Sequence, residues 1–269
     1  MFMDIDAFLT SIQKEIDSFE SISLAEMDKV KLMDRVDVKY LIPLSHLAQV
    51  LAEARENYRV VEINQERICA YETQYFDVNN DMTLYQKHHS GFLNRYKVRT
   101  RNYVGSNLQF FEVKFKNNKG RTLKKRIRTN LYDQPEIKAS ESDFLTKHSP
   151  LQPDALRGIL WVYYKRITLV SKHNLERLTI DLELSFQKEG QEKKYPKIVI
   201  AEVKQEKMGA SHFIDIMRKW RIRQGSISKY CFGIVSLFDN IKQNRFKPHL
   251  LKITKIIRQH DNFAASYQS

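Results

Sequence analysis

Cations at every second residue are the chemistry-bearing feature of this 269-residue chain. In residues 92–103 the odd positions hold Arg95, Lys97, Arg99 and Arg101. In residues 122–129 the even positions hold Lys124, Arg126 and Arg128. A β-strand sends alternate side chains to opposite faces, so each run puts its charges on one face. Acids join the pattern elsewhere. Glu112, Lys114 and Lys116 alternate with Phe111, Val113 and Phe115. Arg177, Thr179, Asp181 and Glu183 alternate with Leu178, Ile180, Leu182 and Leu184. Glu202 shares a face with Lys204, and Arg35, Asp37 and Lys39 share one against Val36, Val38 and Tyr40. Cations in this density favour a polyanion, whether nucleic acid, a membrane surface or a phosphate chain, without choosing between them.

Any one strand fits a half-buried sheet with its polar face in water. Several such strands side by side would set like charges against each other. Long strands also need their edges managed. A closed barrel with the charged face inward and helices over the apolar face meets both demands. Its lumen would be strongly positive and would draw in anions. Glu112, Asp181, Glu183 and Glu202 would then be candidates to hold a divalent metal through oxygen.

The elements that must position these residues follow from periodicity. Residues 4–20 carry Ile5, Phe8, Leu9, Ile12, Ile16 and Phe19 on a helical stripe. A strand is expected around 33–42, ended by Pro43, with Ser45 capping the helix that follows. From about 58 to 131 strand follows strand, separated by turn-type stretches. Residues 140–158 look helical. Strands resume at 159–170, 176–186 and 197–205, then helices around 210–222 and 228–238. The domain reading is an N-terminal helix over 1–20, one body over 21–240 and a basic tail over 241–269. That tail, with Lys242, Arg245, Lys247, Lys252, Lys255 and Arg258, reads most simply as a solvated helix. Contact with anionic lipid or a polyanionic product is the alternative.

The net charge of +13 favours a polyanionic partner. Cys69 and Cys231 lie far apart and outside any ligand spacing, which fits free thiols in a reducing compartment. No apolar run is long enough to span a bilayer. The first residues are acidic where a signal peptide is basic, so the expected location is cytoplasmic. His88-His89 reads as a polar loop, and His46, His148 and His173 have no partner at ligand spacing. There is no Gly-rich phosphate loop, so phosphate binding must come from side chains.

Seven pieces of sequence, in order, carry a resemblance: Arg35-Val-Asp37-Val-Lys39-Tyr40, Arg99-Thr-Arg101, Glu112-Val-Lys114, Lys124-Lys-Arg126, Arg166, Arg177-Leu-Thr-Ile-Asp181 with Glu202-Val-Lys204, and Ser228-Lys229-Tyr230. Over roughly residues 20–240 the chain resembles the VTC, or polyphosphate polymerase, domain family of the CYTH-like triphosphate tunnel superfamily. The fold implied is α+β, a closed antiparallel barrel with a basic lumen. The activity implied is a phosphotransferase that moves the γ-phosphate of ATP onto a growing polyphosphate chain. Phosphate contacts are implied for Lys39, Arg99, Arg101, Lys114, Lys124, Arg166, Arg177 and Lys229. Arg126 joins them on the strand face of Lys124, and Lys204 beside Glu202. Glu202 is implied as the metal ligand, with Mn²⁺ or Mg²⁺ as cofactor. The expected partners are ATP and polyphosphate, with a membrane-embedded protein as a further candidate and no specific nucleic acid.

One departure narrows the chemistry. The wider superfamily opens with alternating glutamates, whereas Arg35 and Asp37 stand here. Fewer carboxylates are left to activate water. A triphosphatase remains the first rival and a non-catalytic polyphosphate binder the second. RNA stacked on Phe92, Tyr96 and Tyr103 is disfavoured, because aromatics mostly alternate away from the cations.

Overall fold

The computed structural model describes residues 5–28, 36–78, 81–130, 136–207, 209–225 and 227–266. Arg35 lies outside them. The order of elements is α1 (Ile5–Asp17), β1 (Ser21–Ser23), α2 (Leu24–Asp28), β2 (Val36–Pro43), α3 (Leu47–Ala54), β3 (Tyr58–Glu62) and β4 (Ile68–Val78). It continues with α4 (Thr83–His89), β5 (Arg95–Tyr103), β6 (Leu108–Lys116), β7 (Thr122–Thr129), α5 (Ala139–His148) and β8 (Leu156–Ser171). Then come β9 (Glu176–Lys188), β10 (Gln191–Tyr195), β11 (Ile198–Gln205), α6 (His212–Lys219), α7 (Lys229–Leu237) and α8 (Lys247–Ser266).

All the strands join one sheet, whose main path runs β2-β11-β9-β8-β4-β5-β6-β7, antiparallel at each step. The short β1 pairs in parallel with β3. Among the described residues no backbone hydrogen bonds join β7 to β2. In its pairing the sheet is therefore open, not the hydrogen-bonded closed barrel expected from the sequence. It nevertheless curls enough to bring Lys114 on β6 within electrostatic reach of Lys39 on β2 and Glu202 on β11, near the far end of the strand order.

Alternation assigns the two faces. On the outer face, Val38, Tyr40, Ile42, Ile167, Leu178, Ile180 and Val203 pack against Phe8, Ile12 and Ile16 of α1, Leu47, Val50 and Leu51 of α3, and Phe213 and Met217 of α6. At the other end Val98, Phe111 and Val113 pack under Leu84 of α4 and Leu145 of α5. The inner face is charged at one end and apolar at the other. Its apolar part holds Leu41, Leu160, Val162, Leu184, Phe186 and Ile200, and it is covered by Tyr230, Phe232 and Ile234 of α7 and Ile253 and Ile256 of α8. The helices are thus not all outside. Gly233 permits the close seating of α7, since a Cβ there would stand 2.6 Å from Leu160 Cδ2 and 2.7 Å from Phe186 Cδ1.

Several local expectations change. Leu44–His46 is a 3-10 turn and α3 begins at Leu47, with no side-chain cap. Ser45 instead donates its buried backbone N–H to His260 Nδ1 at 3.1 Å. His88 and His89 end the helix α4 rather than a loop. The helix expected over 140–158 stops at His148, and β8 starts at Leu156. The basic tail is a packed helix: Ile253, Ile256, His260 and Ala264 of α8 are buried, a stripe at helical spacing that its Lys and Arg content masked. No helix among the described residues is long and apolar enough to cross a membrane.

Candidate functional site

The charged end of the inner face gathers cations from six elements onto three carboxylates. Glu112 on β6 is 1 % exposed. Its Oε2 accepts Arg99 Nε at 2.7 Å and pairs with Arg99 Nη2 at 2.6 Å, while Oε1 takes Lys124 Nζ from β7. Asp181 on β9 accepts Arg166 Nε at 2.6 Å and Nη2 at 2.9 Å, a two-pronged contact from β8, and Lys229 Nζ from the start of α7. Glu202 on β11 accepts Lys39 Nζ from β2 and Lys204 Nζ at 2.6 Å. Strand register explains the grouping: Arg99 faces Glu112, Arg166 faces Asp181 and Lys39 faces Glu202 across adjacent strands.

Burial alone would raise each of these carboxyl groups. Arg99, Arg101 and Lys124 outweigh it at Glu112, Arg166 and Lys229 at Asp181, and Lys204 and Lys39 at Glu202. All three stay ionised well below the usual carboxylate range. Every carboxylate is still outnumbered two to one. Lys97, Arg101 and Lys114 add charge with no carboxylate of their own among the described residues. Arg101 donates to Thr73 Oγ1 at 3.2 Å and Lys97 to Ser228 Oγ at 2.8 Å. The tips of Lys114 and Lys124 reach the water of the hollow. Desolvation by the surrounding walls, followed for Lys114 by the neighbouring Arg99 and Lys97, lowers it to about 8. Lys124 and Lys204 also fall to about 8, desolvation again leading and outweighing their carboxylate partners. Cations held this close are paid for by a partner of opposite charge, and the protein supplies only part of it.

Aromatic rings floor the cluster, which alternation in the sequence did not lead us to expect. The Arg166 guanidinium stands 5.0 Å from the Tyr71 ring centre and 5.3 Å from that of Tyr164. Lys229 Nζ lies 4.5 Å from Tyr164, and Arg99 lies 5.9 Å from Tyr75. Tyr75 also accepts a bond from Arg99 Nη1 at 3.1 Å. Burial would raise its phenol, but Arg99, Arg101 and Lys97 bring it down to about 8. The available signal was the alternation Tyr71, Thr73, Tyr75 and the placing of Tyr164 two residues before Arg166. A further support was equally hidden. Asp77, fully buried at the end of β4, accepts the backbone N–H groups of Leu84 and Tyr85 at 2.7 and 2.9 Å, and the Tyr230 hydroxyl. It thereby ties α4 to α7 and fixes the helix that carries Lys229.

Not every candidate joins the cluster. Arg126 shares the inner face but lies on the exposed strand β7, over the Phe110 ring at 4.5 Å. Arg177 lies opposite Lys204 in register, with Nη1 4.0 Å from Met27 Sδ. Glu183 is turned away. Its φ of 52° marks a bulge where β9 loses register against β8, and its carboxylate pairs with Lys165 Nζ at 2.9 Å. The bulge also shifts Leu184 and Phe186 onto the inner face. Among the described residues no three His, Cys, Asp or Glu side chains are grouped as metal ligands.

Searched among curated proteins, the sequence has no match. Among solved structures, a candidate adenylate cyclase of Bacillus halodurans is similar at 14% identity, over 77% of this chain and 98% of that one, with a TM-score of 0.45. A candidate adenylyl cyclase of Hippeastrum, described as having a dominant triphosphatase activity, is similar at 11% identity over the same shares, also with a TM-score of 0.45. The PH1819 protein of Pyrococcus horikoshii is similar at 13% identity over 75% of this chain and 96% of that one, with a TM-score of 0.42. These likenesses carry no weight in assigning a substrate. The VTC domain model matches residues 34–238, a span that holds all three carboxylates and every cation gathered on them. With most of its length matched, the chain belongs to the VTC domain family.

Proposed function

We propose that the protein is a phosphotransferase that moves the γ-phosphate of ATP onto the end of a polyphosphate chain held on the charged inner face. The observation that carries this reading is the cation surplus: three ionised carboxylates, each outnumbered two to one, beside Lys97, Arg101 and Lys114. Such a surface suits a ligand of repeated negative charge.

Phosphate transfer needs positioning and charge neutralisation more than covalent chemistry from the protein. Arg99, Arg101 and Arg166 offer forked contacts to phosphate oxygens, and Lys39, Lys114, Lys124 and Lys229 offer point charges. Arg126, Arg177 and Lys204 flank the path. An oxygen of the acceptor's terminal phosphate forms a bond to the γ-phosphorus. The bond from that phosphorus to the bridging oxygen breaks, and ADP leaves with the electron pair. No base is required, because the acceptor is already an anion. This favours transfer over hydrolysis, which would need a group to activate water.

A divalent metal fits this donor set only in company with the substrate. A cage built by the protein alone would need carboxylates free of lysine and arginine, and each here holds two cations. Mg²⁺ or Mn²⁺ bound to phosphate oxygens often takes only one or two protein carboxylates. Glu202 suits that role best, with its side chain 20 % exposed against 1 % for Glu112 and 4 % for Asp181. Such an ion would neutralise charge on the transferred group.

Incubation with ATP and Mn²⁺, with products resolved by size and stained for polyphosphate, tests the reading. A ladder of long chains is the expected product. Free phosphate without chains would replace the transferase with a triphosphatase, and tight polyphosphate binding without turnover would leave a binding module.

A further inference from the structure

Where the chain leaves α4 and turns back into β5, two large apolar side chains stand side by side in water. Phe92 is 59 % exposed and Leu93 is 62 % exposed. The backbone beneath them is pinned. Gly91 and Asn94, on either side, take left-handed φ of 71° and 55°. The Phe92 N–H donates to the Lys87 carbonyl at 3.0 Å, and the Phe92 carbonyl accepts Arg95 Nη1 at 2.6 Å. Single exposed apolar residues are ordinary on a protein surface. An adjacent pair on a hydrogen-bonded turn is a different case, because the turn itself holds both side chains out.

Two further segments are tied to this tip. In the β6–β7 turn, the Asn118 N–H donates to Asn94 Oδ1 at 3.0 Å. In the turn that opens α8, Arg245 Nη1 bonds to the Ser90 carbonyl, and the Arg245 N–H faces His89 Nε2 at 3.4 Å. All three segments are basic and free of acid. No Asp or Glu occurs in residues 82–111, 113–130 or 240–260. Lys119 and Arg121 are exposed in the second segment, and Lys242, Arg245 and Lys247 in the third. Asp81 stands beyond the opposite end of α4, Glu112 is held by Arg99 and Lys124, and Asp261 by Lys197. Asp239, exposed just ahead of Lys242, subtracts one charge from this rim.

Helix α8 starts at the tip and continues the pattern. Lys247, Leu251, Lys255 and Arg258 form one exposed stripe at helical spacing, opposite the buried Ile253, Ile256 and His260. Leu251 is 71 % exposed.

Charge and polarity together choose the occupant. A soluble polyphosphate would neutralise the cations but leave Phe92, Leu93 and Leu251 in water. A folded protein partner would meet dense charge where the centre of a stable interface is depleted of it. A bilayer of anionic lipid supplies both needs, with diffuse negative charge at its surface and hydrocarbon just beneath. We propose that this end of the molecule docks on anionic lipid bilayers, with Phe92 and Leu93 entering the headgroup layer and the surrounding cations resting on the lipid charges. The surface uses none of the residues paired with Glu112, Asp181 or Glu202, so it stands apart from the phosphotransferase reading.

Cosedimentation of the full chain with vesicles tests it, first with phosphatidylcholine alone and then with about a third phosphatidylserine added. Binding is expected to the mixed vesicles only, and to weaken as salt rises. Phe92→Ser combined with Leu93→Ser is expected to lower that binding roughly tenfold or more, while melting and affinity for tripolyphosphate stay unchanged. Lys242→Ser combined with Lys247→Ser is a second variant, expected to weaken binding by a similar factor. Failure of the unaltered protein to bind the mixed vesicles would overturn the proposal. So would full binding by the Phe92 and Leu93 double variant, which would assign vesicle contact to the inner-face cations. An oligomer that the same two substitutions dissociate, without vesicle binding, would make the tip a contact between copies of this chain instead.

Discussion

Arg99→Ala is expected to lower phosphate transfer about a thousandfold, in the range seen when a single arginine that stabilises transferring phosphate is removed. Three features converge on this residue. Its guanidinium is held by Glu112 and by the Tyr75 hydroxyl, so its fork is oriented before substrate arrives. It stands on the same strand face as Lys97 and Arg101. It also helps to keep Lys114 and Lys124 crowded with positive charge. Removal of one partner from a buried ion pair commonly costs about 3–5 kcal/mol, because a charge is left uncompensated. Here Glu112 keeps Lys124, so the loss of stability should fall short of that range. Arg99→Lys should recover folding fully and activity only in part, since it restores charge but not the fork. The check is steady-state turnover beside thermal melting. A variant that melts like the unaltered protein and still turns over normally would remove Arg99 from the site.

Affinity for polyphosphate is expected to fall steeply above pH 8. Lys114, Lys124 and Lys204 each titrate near 8 in the empty protein, below the ordinary lysine value of 10.5. A bound phosphate favours the charged ammonium and raises those values again. Below pH 8 the lysines are charged in both states and affinity is constant with respect to them. Above it each must take up a proton to bind. The cost approaches a factor of about ten per pH unit for every lysine involved, until the bound-state value is reached. Tripolyphosphate itself loses a terminal proton within this range, which by itself would strengthen binding, so its own titration is subtracted before the slope is read. Stability of the empty protein runs the other way. A depressed lysine burdens the fold while it is charged, and the burden lifts as pH rises from 8 toward 10.5, where the unfolded chain holds more protons. Titration with tripolyphosphate at fixed ionic strength from pH 7 to 10, paired with melting curves without ligand, reads both trends. Flat affinity across that interval would mean that these lysines do not touch the ligand.

The sequence made the cationic strands legible because alternation is a strict geometric rule. Arg99, Arg101, Lys114 and Lys124 could be placed on one face without any knowledge of their neighbours. Their partners could not. That Glu112 serves Arg99 and Lys124, and Asp181 serves Arg166 and Lys229, depends on register between strands far apart in the chain. Glu183 shows where the rule fails. A non-glycine residue in a left-handed conformation gives no compositional warning, and one extra residue turned the carboxylate away from the face of Asp181. The tyrosines were missed because aromatic rings were assigned to the apolar face, whereas Tyr71, Tyr75 and Tyr164 underlie the cations. Helix α8 was underrated for the same kind of reason. Its Lys and Arg residues drew the reading toward a solvated tail, but Ile253 and Ile256 determine where it packs.

The α7 helix links these observations to function. Ser228 accepts the Cys231 N–H at 3.3 Å and starts the helix, so that Lys229 meets Asp181. Tyr230 follows at once and anchors to Asp77. The helix thereby seals the apolar end of the hollow while presenting cation and hydroxyl to its charged end. Two neighbouring residues of one short motif thus serve opposite needs.

A crystal structure of the protein grown with tripolyphosphate tests the location of phosphate binding most directly. The expected result is a chain of phosphates on the inner face, within hydrogen-bond distance of Arg99, Arg101, Arg166 and Lys229, with Lys114 turned toward it. Phosphates bound only along the exposed lysines and arginines of α8, with the carboxylate–cation pairs of the inner face undisturbed, would contradict it.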